Sequence, residues 1–342
     1  MKPCYINSAV SISAQDTLND SNFLENTISF EGKLAEAIHP NYKKFLSPIA
    51  SRRMATAVKM GVAAAKKALE LAKLEMPDAI ITGTGIGCIE DSEKFLNAIL
   101  DNDEEFLTPT SFIQSTHNTV GAQIALTLKC KGYNVTYVQG AASFESAVID
   151  AQLMLHENEA NTILVGGTDE LGKFLINDII FAEEAEEHPI QTPFGEGAHF
   201  FSLSSYKQTN SFCALKGLKI FNKARTDTIE TKIKAFLKEN YLVPEDIDAV
   251  ILGKNGDAFD VLYQTLQDSI FRDTPQLHYK HLCGEFFTAS AFGFWIATNI
   301  IKQQQIPDVL TLNSIAKSSY KNVLLYNQLK GQQHSFTLVT SC

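Results

Sequence analysis

Residues 132–170 read GYNVTYVQGAASFESAVIDAQLMLHENEANTILVGGTDE, and this stretch predicts a strand, a helix and a second strand in succession. The first strand, Asn134–Gln139, is rich in β-branched and aromatic residues. A helix then runs from about Phe144 to His156, with an apolar face formed by Phe144, Val148, Ala151 and Leu155. The second strand, Thr162–Val165, ends at the Gly166-Gly167 pair. Buried strands joined by a helix are typical of a parallel sheet.

The same alternation extends outward in both directions. On the N-terminal side we predict a helix whose inner face carries Val58 and Val62, a buried strand at Asp78–Thr82, a solvated acidic helix over Glu90–Glu105 and a helix at Gln123–Leu128. On the C-terminal side the predicted elements are helices near Thr228–Asn240, Phe259–Phe271 and Thr288–Lys302, and strands at Ala249–Leu252, Val323–Tyr326 and Ser335–Val339. We therefore expect an α/β protein in which two successive halves, residues 1–205 and 206–342, form one compact unit with mostly parallel sheets.

Composition excludes several classes of function. The chain has 342 residues and a formal net charge of −10, which argues against a nucleic-acid partner because phosphate binding requires clustered Lys and Arg. It contains no run of eighteen apolar residues, so we expect no membrane span. Residues 1–16 lack the apolar core of a signal peptide, and the six cysteines are scattered without CxxC or zinc-ligand spacing. We expect a cytoplasmic protein that binds no metal and no cofactor.

Several short motifs share their order and approximate spacing with one enzyme family. They are Ser51-Arg52-Arg53-Met54, Thr82–Gly87, Gly132-Tyr133-Asn134, Gly166–Asp169, Pro193–Ala198, Lys280 with Gly284, and Asn327. Together they resemble the β-ketoacyl synthase family. The resemblance implies a thiolase-like five-layered fold of two pseudo-equivalent βα halves, normally assembled as a dimer.

The catalytic positions of that family are altered in this chain. Condensation there needs a Cys nucleophile that accepts the acyl chain and two His that support decarboxylation of the malonyl unit. Ungapped alignment from Gly132 to Gly166 places Ala141 at the nucleophile position, and an alternative register places Gln139 there. Asn255 stands at the first His position and Glu285 at the second. A carboxylate at that second position would repel the malonyl carboxylate by roughly 4 kcal/mol at about 4 Å with an effective dielectric constant of about 20.

Two further features concern the same predicted site. The Gly-rich loop expected after Asn327 reads QLKGQQH over Gln328–His334 and has lost three of its glycines. Lys280 is retained, either as a remnant of the catalytic network or, as we favour, in a fold-supporting ion pair with Glu285 or another acid. Loss of one essential member of a catalytic unit already lowers rates by on the order of 10⁴–10⁶. The sequence therefore predicts a subunit without a catalytic set.

Other candidate residues have simpler interpretations. Cys88 and Cys283 could lie near the altered site, but neither has an evident His base that would make it a replacement nucleophile. We expect Ser143 to cap a helix and His117 to form hydrogen bonds at a dimer interface. The acidic run Glu183–Glu187 is most simply a solvated loop.

The function that these departures favour is that of a partner subunit. The chain resembles a chain-length-factor-type protein that pairs with an active ketosynthase in type II polyketide, aryl-polyene or fatty-acid-type synthesis, with acyl carrier protein involved only indirectly. The strand around Tyr137 is expected at the dimer interface, and the segment with Phe106, Phe112 and Ile113 is expected to reach the partner's acyl tunnel, although these three side chains could instead fill the chain's own core. The alternatives are an active condensing enzyme or acyltransferase with a displaced nucleophile, and an inert homodimeric scaffold.

Overall fold

The structure is a computed structural model that describes residues 4–18, 23–52, 54–105 and 107–342. Arg53 of the SRRM motif and the candidate Phe106 lie outside the described residues.

Strands and helices alternate along most of the described chain. The strands are β1 (Cys4–Ile12), β2 (Leu34–Ala35), β3 (Ala79–Gly83), β4 (Tyr133–Tyr137), β5 (Thr162–Asp169), β6 (Phe194–Gly195), β7 (Gly197–Ser204), β8 (Cys213–Asn222), β9 (Ala249–Leu252), β10 (Gln276–His278), β11 (Asn322–Leu329) and β12 (Gln333–Ser341). The helices are α1 (Pro48–Ser51), α2 (Thr56–Ala72), α3 (Ile89–Asp101), α4 (Pro109–Ser115), α5 (Thr119–Leu128), α6 (Ser143–Glu157), α7 (Leu175–Glu184), α8 (Thr226–Glu239), α9 (Val261–Asp268), α10 (Lys280–Cys283) and α11 (Ser290–Gln303).

Ten of these strands form one mixed sheet in the order β10-β9-β11-β12-β8-β1-β7-β5-β3-β4. Its two ends repeat one pattern, because β4-β3-β5 and β10-β9-β11 are both parallel, and each is followed by two antiparallel pairings. The repeats join where β1 pairs with β8 antiparallel. The internal duplication predicted from the order of helices and strands is thus present in the sheet. The predicted parallel pairing holds at the outer ends, whereas the centre is antiparallel.

Helices cover the sheet in layers. The inner faces of α2 and α5 pack on one side of the N-terminal strands, with Val58, Val62 and Ile124 in that core. On the other side, α6 and α11 fill the middle of the molecule with Phe144, Phe292 and Trp295. The outermost layer consists of α8 and α9, which pack on the C-terminal strands. This is a layered α/β arrangement of a large mixed sheet with flanking helices, as the resemblance implied.

Some elements were not predicted from the sequence. Strands β1, β7 and β8 and helix α7 are the main additions, and the first three supply the centre of the sheet. The expectation of a solvated loop over Glu183–Glu187 is wrong at its first residue. Glu183 lies at the end of α7, is buried, forms an ion pair with Lys330 and accepts a hydrogen bond from the Ile190 N–H.

Candidate functional site

The nucleophile position lies in a tight buried turn between β4 and α6. Residues 140–142 form one turn of 3₁₀ helix, and Ala141 is 5% exposed. Gln139, the residue of the alternative register, is exposed, and its side-chain oxygen accepts a hydrogen bond of 2.5 Å from the Ser146 hydroxyl. Of the two candidate nucleophile positions, the buried one is therefore Ala141, whose side chain carries no heteroatom.

Ser143 does not cap the helix as predicted. It is the first residue of α6, and its hydroxyl donates to the Gly140 carbonyl (2.7 Å) while accepting from the Gln139 N–H (2.8 Å). The hydroxyl is thus used to close the turn before the helix.

The first His position, Asn255, follows β9 and is fully buried. Its backbone is firmly held, because the N–H donates to Asp260 (3.1 Å) and the carbonyl accepts from the N–H groups of Gln191 (2.8 Å) and Thr192 (3.2 Å). Neither side-chain amide atom has a hydrogen-bond partner among the described residues. Asn255 also lines a cavity of about 570 Å³ together with His278. An uncharged amide here cannot supply the positive charge that a protonated His would.

The second His position holds Glu285, which forms an ion pair with Lys280 at 2.5 Å. The side chains are 0% (Lys280) and 6% (Glu285) exposed, so both charges are buried. The Glu285 backbone is fixed as well, since its N–H donates to the Pro193 carbonyl (2.7 Å) and its carbonyl accepts from the Gly195 N–H (3.0 Å). The ion pair that the sequence predicted is present.

Two more buried acids surround this ion pair. Burial raises the pKa of Glu145, although Ser335 donates to it at 2.7 Å and the nearby Lys280 charge acts in the opposite direction. Burial also raises the pKa of Asp257, despite the backbone N–H of Phe259 that donates to it at 2.8 Å. Lys280 therefore faces three acids, Glu285, Glu145 and Asp257.

Asp169 connects three of the sequence motifs. One carboxylate oxygen accepts from the Thr84 hydroxyl (2.8 Å) and from the N–H groups of Gly85 (2.8 Å) and Ile86 (3.2 Å). The other accepts from the N–H (3.0 Å) and hydroxyl (2.8 Å) of Thr288. The glycine-rich turn, the Gly-Gly turn and the segment after Glu285 are thereby held together. These motifs, far apart in sequence, form one structural centre.

An apolar cavity of about 210 Å³ adjoins this centre. Its lining includes Ile86, Ile176, Ile190, Phe286, Phe287 and Leu329. Glu285 contributes to the wall, and so do Lys330 and Glu183, which form an ion pair with each other. The cavity contains space for a short apolar group, and its lining has no Cys, Ser or Thr among the described residues.

The two candidate thiols are unreactive by burial. Cys88 and Cys283 are both fully buried, and burial raises the pKa of each thiol well above its usual value. A thiol that stays protonated is a poor nucleophile. Within the described residues there is no cluster of His, Cys, Asp and Glu that could hold a metal ion. No helix among them is long and apolar enough to cross a membrane.

The predicted interface residues lie at one end of the sheet. Among the described strands β4 pairs with β3 alone, so its other edge is open. Tyr137 on β4 is half-buried, and Val138 after it is exposed. Phe112 and Ile113 on α4 are 55% and 59% exposed, which excludes the alternative that they fill the core of this chain. His117 is also exposed.

One site residue was missed from the sequence. Gln333, the first residue of β12, accepts a hydrogen bond from the Ala141 N–H (2.9 Å) and donates one to the Gln139 carbonyl (2.9 Å). The signal was the short interval between the predicted strands 323–326 and 335–339, which contains one glycine and suits a tight hairpin.

Comparisons with known proteins agree with this geometry. Residues 29–175 match the family model described as "Beta-ketoacyl synthase, N-terminal domain". No curated protein matches the chain by sequence.

Solved structures extend the similarity to the whole chain. The ishigamide ketosynthase/chain length factor is 16% identical with a TM-score of 0.79, covering 100% of this chain and 99% of that one. A β-ketoacyl synthase from Burkholderia phymatum STM815 is 15% identical with a TM-score of 0.79, covering both chains fully at 100%. A ketosynthase in complex with its chain length factor from Xenorhabdus doucetiae is 14% identical with a TM-score of 0.74, covering 100% of this chain and 98% of that one. At these identities the similarity establishes the fold, which is the thiolase-like ketosynthase fold.

Proposed function

We propose that the protein is a non-catalytic partner subunit of an active β-ketoacyl synthase, comparable to a chain length factor of type II polyketide, aryl-polyene or fatty-acid-type synthesis. The observation that carries the proposal is the buried turn at the nucleophile position, which holds Ala141. A methyl group cannot form a thioester, and the buried thiols Cys88 and Cys283 offer no accessible substitute.

The charge of the site supports the same conclusion. Decarboxylation of a malonyl unit requires a positive group near the carboxylate and the developing enolate. Here the fully buried Lys280 is committed to Glu285, and Glu145 and Asp257 lie nearby. Because Glu285 neutralises Lys280, this pair offers no net positive charge to hold a malonyl carboxylate.

The open end of the sheet supports a role in assembly. An unpaired strand edge such as that of β4 is a template for pairing with another chain. Exposed apolar side chains lie close to it in sequence, on α4, on α5 and after β4: Phe112, Ile113, Leu126 and Val138. We infer that an active synthase covers this surface in a heterodimer, and that a homodimer uses it when the chain is alone. Acyl carrier protein would then deliver its acyl group to the partner's cysteine.

Control of chain length would reside in helix α4. Phe112 packs against Phe95 with ring centroids 5.3 Å apart, so its position is fixed although more than half of its surface is exposed. An exposed, fixed aromatic side chain at an interface can close the end of a neighbouring tunnel. The names of two similar solved structures include a chain length factor.

Intact-mass analysis tests the absence of catalysis. The purified chain is incubated with acyl-loaded acyl carrier protein, and an active synthase with its cysteine serves as the positive control. We expect the mass of this chain to stay unchanged while the control gains one acyl group. A stoichiometric acyl adduct that maps to Cys88 or Cys283 would contradict the proposal.

A further inference from the structure

The β11–β12 hairpin reaches across the molecule to the turn that contains Ala141. Three residues, 330–332, connect the two strands, and Lys330 and Gly331 adopt positive φ values of 47° and 63°. The side-chain oxygen of Gln328 accepts from the Gly331 N–H at 2.6 Å and fixes the loop. Gln333 begins β12 opposite Leu329 on one side and Asn222 on the other, so its backbone is held by both neighbouring strands.

From this position a single side-chain amide holds both sides of the turn. The Ala141 N–H donates to Gln333 Oε1, and Gln333 Nε2 donates to the Gln139 carbonyl, each at 2.9 Å. Between them Gly140 has a φ of +57°, and a Cβ on it would lie 2.8 Å from Gln333 Oε1. Glycine at 140 therefore suits both the backbone conformation and the close approach of the amide.

The Ala141 N–H is a chemically significant donor. It lies in the 3₁₀ turn just before α6, at the residue where a nucleophile would carry the acyl group. A backbone N–H at such a position normally stabilises the negative charge that develops on the acyl carbonyl oxygen. In this chain the donor is already bonded to an amide oxygen, whose charge distribution resembles that of an acyl carbonyl.

We propose that Gln333 takes the place of the acyl group in this subunit. It is a positioning residue that satisfies the Ala141 N–H from within the chain. The turn after β4 is thereby held in one conformation without any bound acyl group, so the subunit presents a fixed strand edge to its partner. The inference rests on the proposed function, since it explains how a non-catalytic subunit keeps its interface ordered.

Hydrogen exchange tests the contact in the natural background. Exchange is followed by mass spectrometry in peptides that cover residues 139–143, in Gln333→Ala and in the matched control Gln332→Ala, which changes an exposed neighbour in the same loop. We expect exchange at the turn to rise on the order of tenfold in Gln333→Ala and to stay unchanged in the control, because a hydrogen bond of ordinary net strength is lost. Gln333→Glu, which keeps an acceptor oxygen, should protect Ala141 better than Gln333→Ala. Equal exchange in all four proteins would overturn the inference.

A second readout uses an introduced thiol. In Ala141→Cys, the thiolate attacks p-nitrophenyl acetate, an S–C bond forms, the ester C–O bond breaks and p-nitrophenolate leaves, which is followed by its absorbance. Freeing the N–H in Ala141→Cys/Gln333→Ala should accelerate this acetylation by about 10²–10³. The control Ala141→Cys/Gln332→Ala should match the single variant. Equal rates with and without Gln333 would overturn the inference.

These outcomes separate the inference from the proposed function. Changes at the turn in Gln333→Ala, combined with failure of the natural chain to bind any active synthase, would retain the inference and reject the partner role. Normal binding to an active synthase, combined with no effect of Gln333→Ala at the turn, would retain the partner role and reject the inference.

Discussion

The buried ion pair between Lys280 and Glu285 gives the sharpest test of how the altered site is stabilised. Replacing Lys280 by Met leaves the Glu285 carboxylate buried without its cation. Removing one member of such a pair costs about 3–5 kcal/mol. Removing both, in Lys280→Met/Glu285→Leu, should leave the free energy of unfolding within about 1 kcal/mol of the natural chain or above it, because two buried charges no longer need to be desolvated. The nearby Glu145 does not have to stay charged when Lys280 is removed, because burial already raises its pKa and it can take up a proton.

Urea unfolding followed by tryptophan fluorescence measures these differences. Trp295 is the chain's one tryptophan and is 3% exposed within the central core, so its emission reports global unfolding. Lys219→Met is the matched control, because it breaks an exposed pair with Glu239 whose loss should cost less than about 1 kcal/mol. The reasoning is refuted if Lys280→Met costs no more than Lys219→Met, or if the double variant is as unstable as Lys280→Met.

Two further predictions concern pH and product length. Burial lowers the pKa of His199 to about 3, against 6.5 for a free side chain. Between pH 6.5 and 3 the unfolded chain therefore binds a proton that the folded chain does not. As the pH is lowered through this window, the free energy of unfolding should decrease by at most about 1.4 kcal/mol per pH unit. Urea titrations at several pH values should show that the free energy of unfolding depends less steeply on pH in His199→Gln than in the natural chain. An identical pH dependence would refute the role assigned to His199. In a complex with an active synthase, Phe112→Ala or Ile113→Ala should lengthen the products seen by mass spectrometry, while Tyr241→Ala, at a position 95% exposed in the C-terminal half, should not. Unchanged products from intact complexes would remove α4 from the control of chain length.

The outer parts of the fold were predictable because their strands are continuous apolar runs. The segments that became β3, β5 and β9 carry little but apolar residues before their closing turns, and the helices between them have clear apolar faces. Strand β1 was missed because it includes polar residues that look solvated in sequence. Asn7 is nevertheless buried and bonded to Ser204, 197 residues away, and a partner at that distance leaves no local pattern.

The candidate site was predictable where it depends on motif positions. Ala141, Asn255 and Glu285 were identified by alignment to the family motifs, and the structure buries all three. The contact of Gln333 with Ala141 could not be read in the same way, because it spans 192 residues and depends on the exact length of the β11–β12 hairpin. The exposure of Phe112 likewise required the structure, since an aromatic residue among short polar ones fits either a core or an interface.

Reconstitution with an active synthase tests the central claim most directly. A synthase with an intact Cys-His-His set is purified alone and together with this chain, and both samples are supplied with acyl carrier protein and malonyl units. We expect a stable heterodimer that buries more than about 2,000 Å². Products of defined length should form from this pair, and loss of the synthase cysteine should abolish all turnover. A monodisperse monomer that does not shift when the synthase is added, or turnover that survives loss of the synthase cysteine, would contradict the assignment of this chain as a non-catalytic partner.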